Sequence, residues 1–116
     1  MSNPSTPAAD GATPERPVRL GSAAALDRFV AAHDRALVEF YTEGCGICAS
    51  MEPILGLVAR SGEAAVALLN PRDDPGLIDR FTVRSVPLLV VFQDGDPVRR
   101  HADGFLDVDG VLSLVG

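Results

Sequence analysis

No lysine occurs in the 116 residues of this chain: all ten basic side chains are arginine, set against sixteen acids for a formal net charge of -6. That balance disfavours nucleic acid or an anionic membrane surface as the main partner, because both demand clustered positive charge. Long apolar runs are missing too. Val86 to Phe92 is among the longest and falls well short of the about eighteen residues needed to cross a bilayer. The opening Met1-Ser2-Asn3-Pro4-Ser5 has no basic segment and no apolar one, so no secretory signal is expected and the cytoplasm is the default location. Cysteine is scarce. Two residues cannot build a disulfide scaffold, and a close pair in a reducing compartment is more often catalytic or metal-binding than structural.

What remains is ordinary for one soluble domain, with 47% hydrophobic and 22% charged residues. Four of the nine prolines fall within residues 1–17 among Ser, Thr, Ala and Gly, so this tail is expected to be disordered and the domain to span 18–116. Pro17 to Leu20 reads as a short strand. Ser22 then caps a helix from Ala23 to His33, whose Leu26, Phe29 and Val30 make an i, i+3, i+4 stripe. Ala36 to Tyr41 suits a strand covered on both faces, and Cys45 to about Arg60 is helical, with Cys48, Met51, Leu55 and Val58 on one side and Pro53 as a kink. A buried strand from Ala64 to Leu69 precedes a turn and a short helix, Leu77 to Phe81. Leu88 to Phe92 and Val98 to Ala102 form a hairpin around Asp94-Gly95, and Asp107 caps a last helix through Leu114. The order βαβαβαββα implies an α/β fold, a central mixed sheet with helices on both faces.

The informative feature is Cys45-Gly46-Ile47-Cys48. Cys45 lies where a strand gives way to a helix, near unpaired N–H groups and the positive end of the helix dipole, and both stabilise a thiolate. It is the expected nucleophile in disulfide exchange. Cys48, one turn further in and more buried, is the expected resolver of the mixed disulfide. A packing pair is one rival reading. Zinc is another, but it needs about four ligands, and His33 and His101 stand in no ligand spacing with the pair; no metal is expected. Both histidines are expected to face solvent, His33 at a helix end where the dipole favours its charge.

From Ala36 onward the chain resembles thioredoxin. The resemblance is carried by Leu37 to Cys48, by Glu52-Pro53-Ile54-Leu55, by Val83 to Phe92, and by Asp94-Gly95 and Gly104, in the family's order and spacing. It implies a thioredoxin-like fold and a thiol-disulfide oxidoreductase that reduces protein disulfides through Cys45 and Cys48. The redox equivalents reside in its own sulfurs, so no bound cofactor is needed. A thioredoxin-reductase-type electron donor is implied as partner, and a monomer is expected. By the same resemblance Pro87 is a cis-proline facing the cysteines, and Val86 offers backbone groups to an extended substrate. Gly44, Gly46, Ile47 and Gly104 complete the substrate-facing set; Gly104 reads equally as a turn glycine. The alternative function is a non-catalytic binding module that keeps the fold and uses the pair for regulation or metal.

The chain also departs from the family. Gly44 replaces a Trp and Ile47 a Pro, which removes an apolar contact surface and frees the backbone between the sulfurs. Glu39 matches the family's buried acid, the proton acceptor behind Cys48, and burial is expected to raise its pKa. The lysine that partners this acid in the family falls at Leu68, where there is no charge.

Overall fold

Residues 13–116 are described by a computed structural model. Most of the segment expected to be disordered, residues 1–12, lies outside the described residues, and Thr13 to Pro17 form neither helix nor strand. Ten elements follow. They are β1 (Val18–Leu20), α1 (Ala23–Ala32), β2 (Arg35–Phe40), α2 (Gly46–Ser61), β3 (Ala65–Leu69), a 3-10 turn (Pro71–Asp73), α3 (Gly76–Phe81), β4 (Leu88–Gln93), β5 (Asp96–His101) and α4 (Val108–Val115). Apart from the 3-10 turn this is the expected order.

Local chemistry sets the boundaries. Ser22 Oγ accepts the Ala25 N–H at 3.1 Å to start α1, and Asp107 Oδ1 accepts the Gly110 N–H at 2.8 Å to start α4. Gly62, at φ +77°, closes α2, which runs through Pro53 to Ser61. Asn70 Oδ1 takes the Arg72 N–H at 3.0 Å and folds Pro71–Asp73 into the tight turn. Between β4 and β5 both turn residues have positive φ, Asp94 at 52° and Gly95 at 86°, as in a type I′ hairpin. Its two-residue turn lets β5 begin at Asp96, two residues before the expected Val98; Pro97 is tolerated because β5 is an edge strand.

The sheet order is β1-β3-β2-β4-β5. β1, β3 and β2 run parallel through helical crossovers, while β2 with β4 and β4 with β5 are antiparallel. Strand alternation divides β2 between two cores. Ala36, Val38 and Phe40 meet α1 and α3, where Phe40, Phe81 and Phe92 pack together; Leu37 faces Met51, Leu55 and Val58 of α2 and Val111 and Val115 of α4. Glu39 belongs by alternation to this second face.

Candidate active site

Chain leaving β2 at Tyr41 delivers Cys45 to the N-cap of α2. Cys45 Sγ accepts the Cys48 N–H at 3.1 Å and lies 4.0 Å from the Val86 carbonyl oxygen. No acidic side chain stands in the first turn of α2, so nothing there offsets the positive end of its dipole. A donated N–H and an uncompensated dipole together favour negative charge on sulfur. Cys48 is buried and Cys45 half-buried, and the two are joined in a disulfide, so the structure is the oxidised state.

The residues expected to face substrate surround this pair unequally. Val86 precedes Pro87 through a cis peptide, and Pro87 is buried. Among the described residues, no backbone–backbone hydrogen bond involves Arg84, Ser85 or Val86. Gly46 and Ile47 are exposed on the first turn of α2. Gly44 holds φ +80°, a conformation that L side chains rarely adopt, so its departure from the family's Trp concerns the backbone as well as the side chain. At Gly104 a Cβ would meet nothing within 4 Å while φ is +90°, so the turn itself accounts for that glycine. The following Leu106 N–H reaches Met51 Sδ at 3.5 Å, which ties the loop to α2 just beyond Cys48.

Glu39 is 1% exposed, and its Oε2 has no hydrogen-bond partner among the described residues. Burial, reinforced by repulsion from Glu52 and opposed by Arg19, pushes its pKa up to about 8. Leu68 stands directly opposite Glu39 in the β2–β3 register, so the position of the family's lysine is apolar. The expectation of no charge holds at Leu68, and the charge that opposes the shift comes instead from Arg19 of β1, which pairs with the other side of Leu68. Arg19 Nη1 donates to the Tyr41 hydroxyl at 2.9 Å, Nη2 lies 3.5 Å from Glu52 Oε2, and the guanidinium sits 5.5 Å from the Tyr41 ring centre. Arg19, Tyr41 and Glu52 border the hollow beside the cysteines. Sequence reasoning missed this cluster. Its signal was the Val18-Arg19-Leu20 alternation, which turns Arg19 away from its apolar neighbours and toward the Glu39 face.

The histidines also differ from expectation. His101 pairs with Leu89 and so faces the second core, where its Nε2 is buried without a partner among the described residues. His33 is half-buried with its ring 4.9 Å from that of Phe29, and burial lowers its pKa against the opposing pull of Asp34.

A thioredoxin family model matches residues 18–114. Thioredoxin from Chlamydia caviae is 31% identical over 99 residues, covering 84% of this chain and 95% of that one. Thioredoxin from Staphylococcus saprophyticus is 38% identical over 81 residues, covering 68% and 77%. The solved structure of a mutant thioredoxin from Halobacterium salinarum superposes with a TM-score of 0.84 at 33% identity, covering 90% of this chain and 91% of that one. A cysteine pair able to close a disulfide at the start of a helix, on this sheet and with these relatives, makes the chain a member of the thioredoxin family and a thiol-disulfide oxidoreductase.

Proposed function

We propose that the chain works in the reducing direction, passing electrons from a reductase-type donor to protein disulfides in the cytoplasm. The observation that carries this reading is Cys45 Sγ at the N-cap of α2, held by the Cys48 N–H and set beside Val86. In the reduced protein the Cys45 thiolate attacks one sulfur of a substrate disulfide; a Cys45–substrate bond forms and the first substrate thiolate leaves. Cys48 then loses its proton to Glu39 and attacks Cys45 Sγ. The mixed disulfide breaks, the second substrate thiolate departs, and the Cys45–Cys48 disulfide of this structure results. Two electrons have passed to the substrate, and a donor dithiol restores the pair. A Glu39 pKa of about 8 lies close to that of an ordinary thiol, about 8.5, which suits proton exchange with Cys48.

The free backbone groups from Arg84 to Val86 support strand addition by an extended substrate segment. A cytoplasmic site agrees with the reductive role, because a dithiol persists in a reducing compartment. Among the described residues no helix is long and apolar enough to cross a membrane. The test is a trap. Cys48→Ser should accumulate mixed disulfides through Cys45 that release under added dithiol, and Cys45→Ser should accumulate none. A Cys48→Ser protein that captures no disulfide partner would sink the reading in favour of a non-catalytic binding module.

A further inference from the structure

Arg72 and Arg84 frame a groove of about 240 Å³ that starts beside the cysteines and runs away over Pro71, Val83 and Ile78. Its near end is Thr42 and Val86; Thr42 also borders the cysteine hollow, and Val86 lies 4.0 Å from Cys45 Sγ. The floor is apolar, and among the described residues no acidic side chain lines it. Both arginines are exposed. Among the described residues neither makes an ion pair or a side-chain hydrogen bond, since the side-chain ion pairs are Arg19 with Glu52 and Arg80 with Asp27. The nearby charges are otherwise engaged or lie outside the groove. Asp74 Oδ2 accepts the Ala23 N–H at 2.7 Å, Arg100 is spent on the Phe81 and Thr82 carbonyls, and Asp79 borders a neighbouring hollow with Arg84. A chain of net charge -6 thus presents two guanidinium groups, unpaired among the described residues, at a groove that adjoins its redox pair.

We infer that this groove selects disulfide substrates whose extended segment carries acidic side chains within a few residues of the reactive cysteine. The inference rests on the disulfide-reducing reading and adds the substrate class. The segment pairs with the unpartnered backbone of Arg84 to Val86, lays apolar side chains on Val83 and Ile78, and places carboxylates against Arg72 and Arg84. Guanidinium suits this task because its planar fork binds carboxylates bidentately. The rest of the surface is net acidic, so acidic partners without such a segment are repelled, and the groove supplies specificity more than raw affinity.

The test uses the full-length reduced protein and two short synthetic disulfide peptides that differ only in Asp and Glu versus Asn and Gln beside the cysteine. At low salt the acidic peptide should be reduced about fivefold faster, the scale of two exposed ion pairs, with the advantage fading as salt screens them. Arg72→Gln/Arg84→Gln should bring the ratio near one, and Arg72→Glu/Arg84→Glu should invert it. Arg28→Gln/Arg60→Gln makes the same change in net charge on exposed positions of α1 and α2 and should keep the preference. Binding of serine versions of both peptides to the oxidised protein, read by fluorescence anisotropy, separates the two layers. A preference in binding without any reduction keeps the groove and overturns the disulfide reading. Reduction and binding indifferent to charge, or a preference that survives in the double variant, overturns the groove.

Discussion

The two faces of the sheet are built from the same strands and to opposite ends. Toward α1 and α3 the core is wholly apolar, with Leu26, Phe29, Phe40, Leu77, Phe81 and Phe92 packed around Val38 and Val90. Toward α2 and α4 it is apolar except along one row. Arg19, Leu68, Glu39, Leu89 and His101 pair in register from edge to edge, and this row holds both buried side-chain atoms that lack a partner among the described residues, Glu39 Oε2 and His101 Nε2. Unpartnered buried polar atoms cost stability. The first face therefore stabilises the fold, and the second gives up part of its stability in the row that carries Glu39, the acid proposed to take the Cys48 proton.

Adjacent residues of β2 put this contrast to its strongest test. Phe40→Ala empties a fully buried site on the apolar face and should cost about 3 to 5 kcal/mol at any pH. Glu39→Gln, one residue earlier on the opposite face, should do the reverse. A carboxyl whose folded pKa is raised contributes stability that is fully present below its unfolded value and is lost as pH rises toward the folded one, here between 4.5 and about 8. The variant should match the native protein near pH 5 and exceed it by on the order of a few kcal/mol at pH 9, read by urea unfolding of the oxidised form. It should also slow resolution of the mixed disulfide roughly a hundredfold and flatten its rise with pH. A Glu39→Gln protein that loses stability at every pH, or resolves as fast as the native one, would erase the difference between the faces.

A weaker effect belongs to the far end of the row. His101→Leu replaces an unpartnered buried nitrogen with apolar surface like that of the neighbouring Leu89, and removing a polar group with no partner to orphan is neutral or stabilising. The gain should be up to about 1 kcal/mol in the same unfolding experiment. A loss above that size would mean that His101 has a role in packing or bonding that its unpartnered nitrogen does not reveal.

What the sequence disclosed of these faces follows from how local each signal is. The Cys48, Met51, Leu55, Val58 stripe, the Asp94-Gly95 hairpin and the Ser22 and Asp107 caps depend on neighbours within a turn or two, and each was legible. The row was not, because Arg19 and Glu39 meet only through the parallel register of three strands joined by crossovers. His101 misled for a related reason. As the end of an exposed edge strand it read as solvent-facing, whereas its pairing with Leu89 turns it inward. Arg72 and Arg84 share a groove only because α3 folds between them, and no spacing rule links residues across such a loop.

The finest test of the row lies at its near edge, where two exposed charges act on Glu39 with opposite sign. Arg19 holds the acid's pKa down and Glu52 pushes it up, and they touch each other across 3.5 Å. Arg19→Gln should therefore move the pH midpoint of mixed-disulfide resolution upward, and Glu52→Gln should move it downward. Both shifts should be smaller than the effect of Glu39→Gln, because both side chains are more than half exposed and solvent screens them. They should shrink further at high salt. If Arg19→Gln and Glu52→Gln moved the midpoint in the same direction, the common cause would be loss of their contact at the rim of the cysteine hollow, and the second face would owe its chemistry to burial alone.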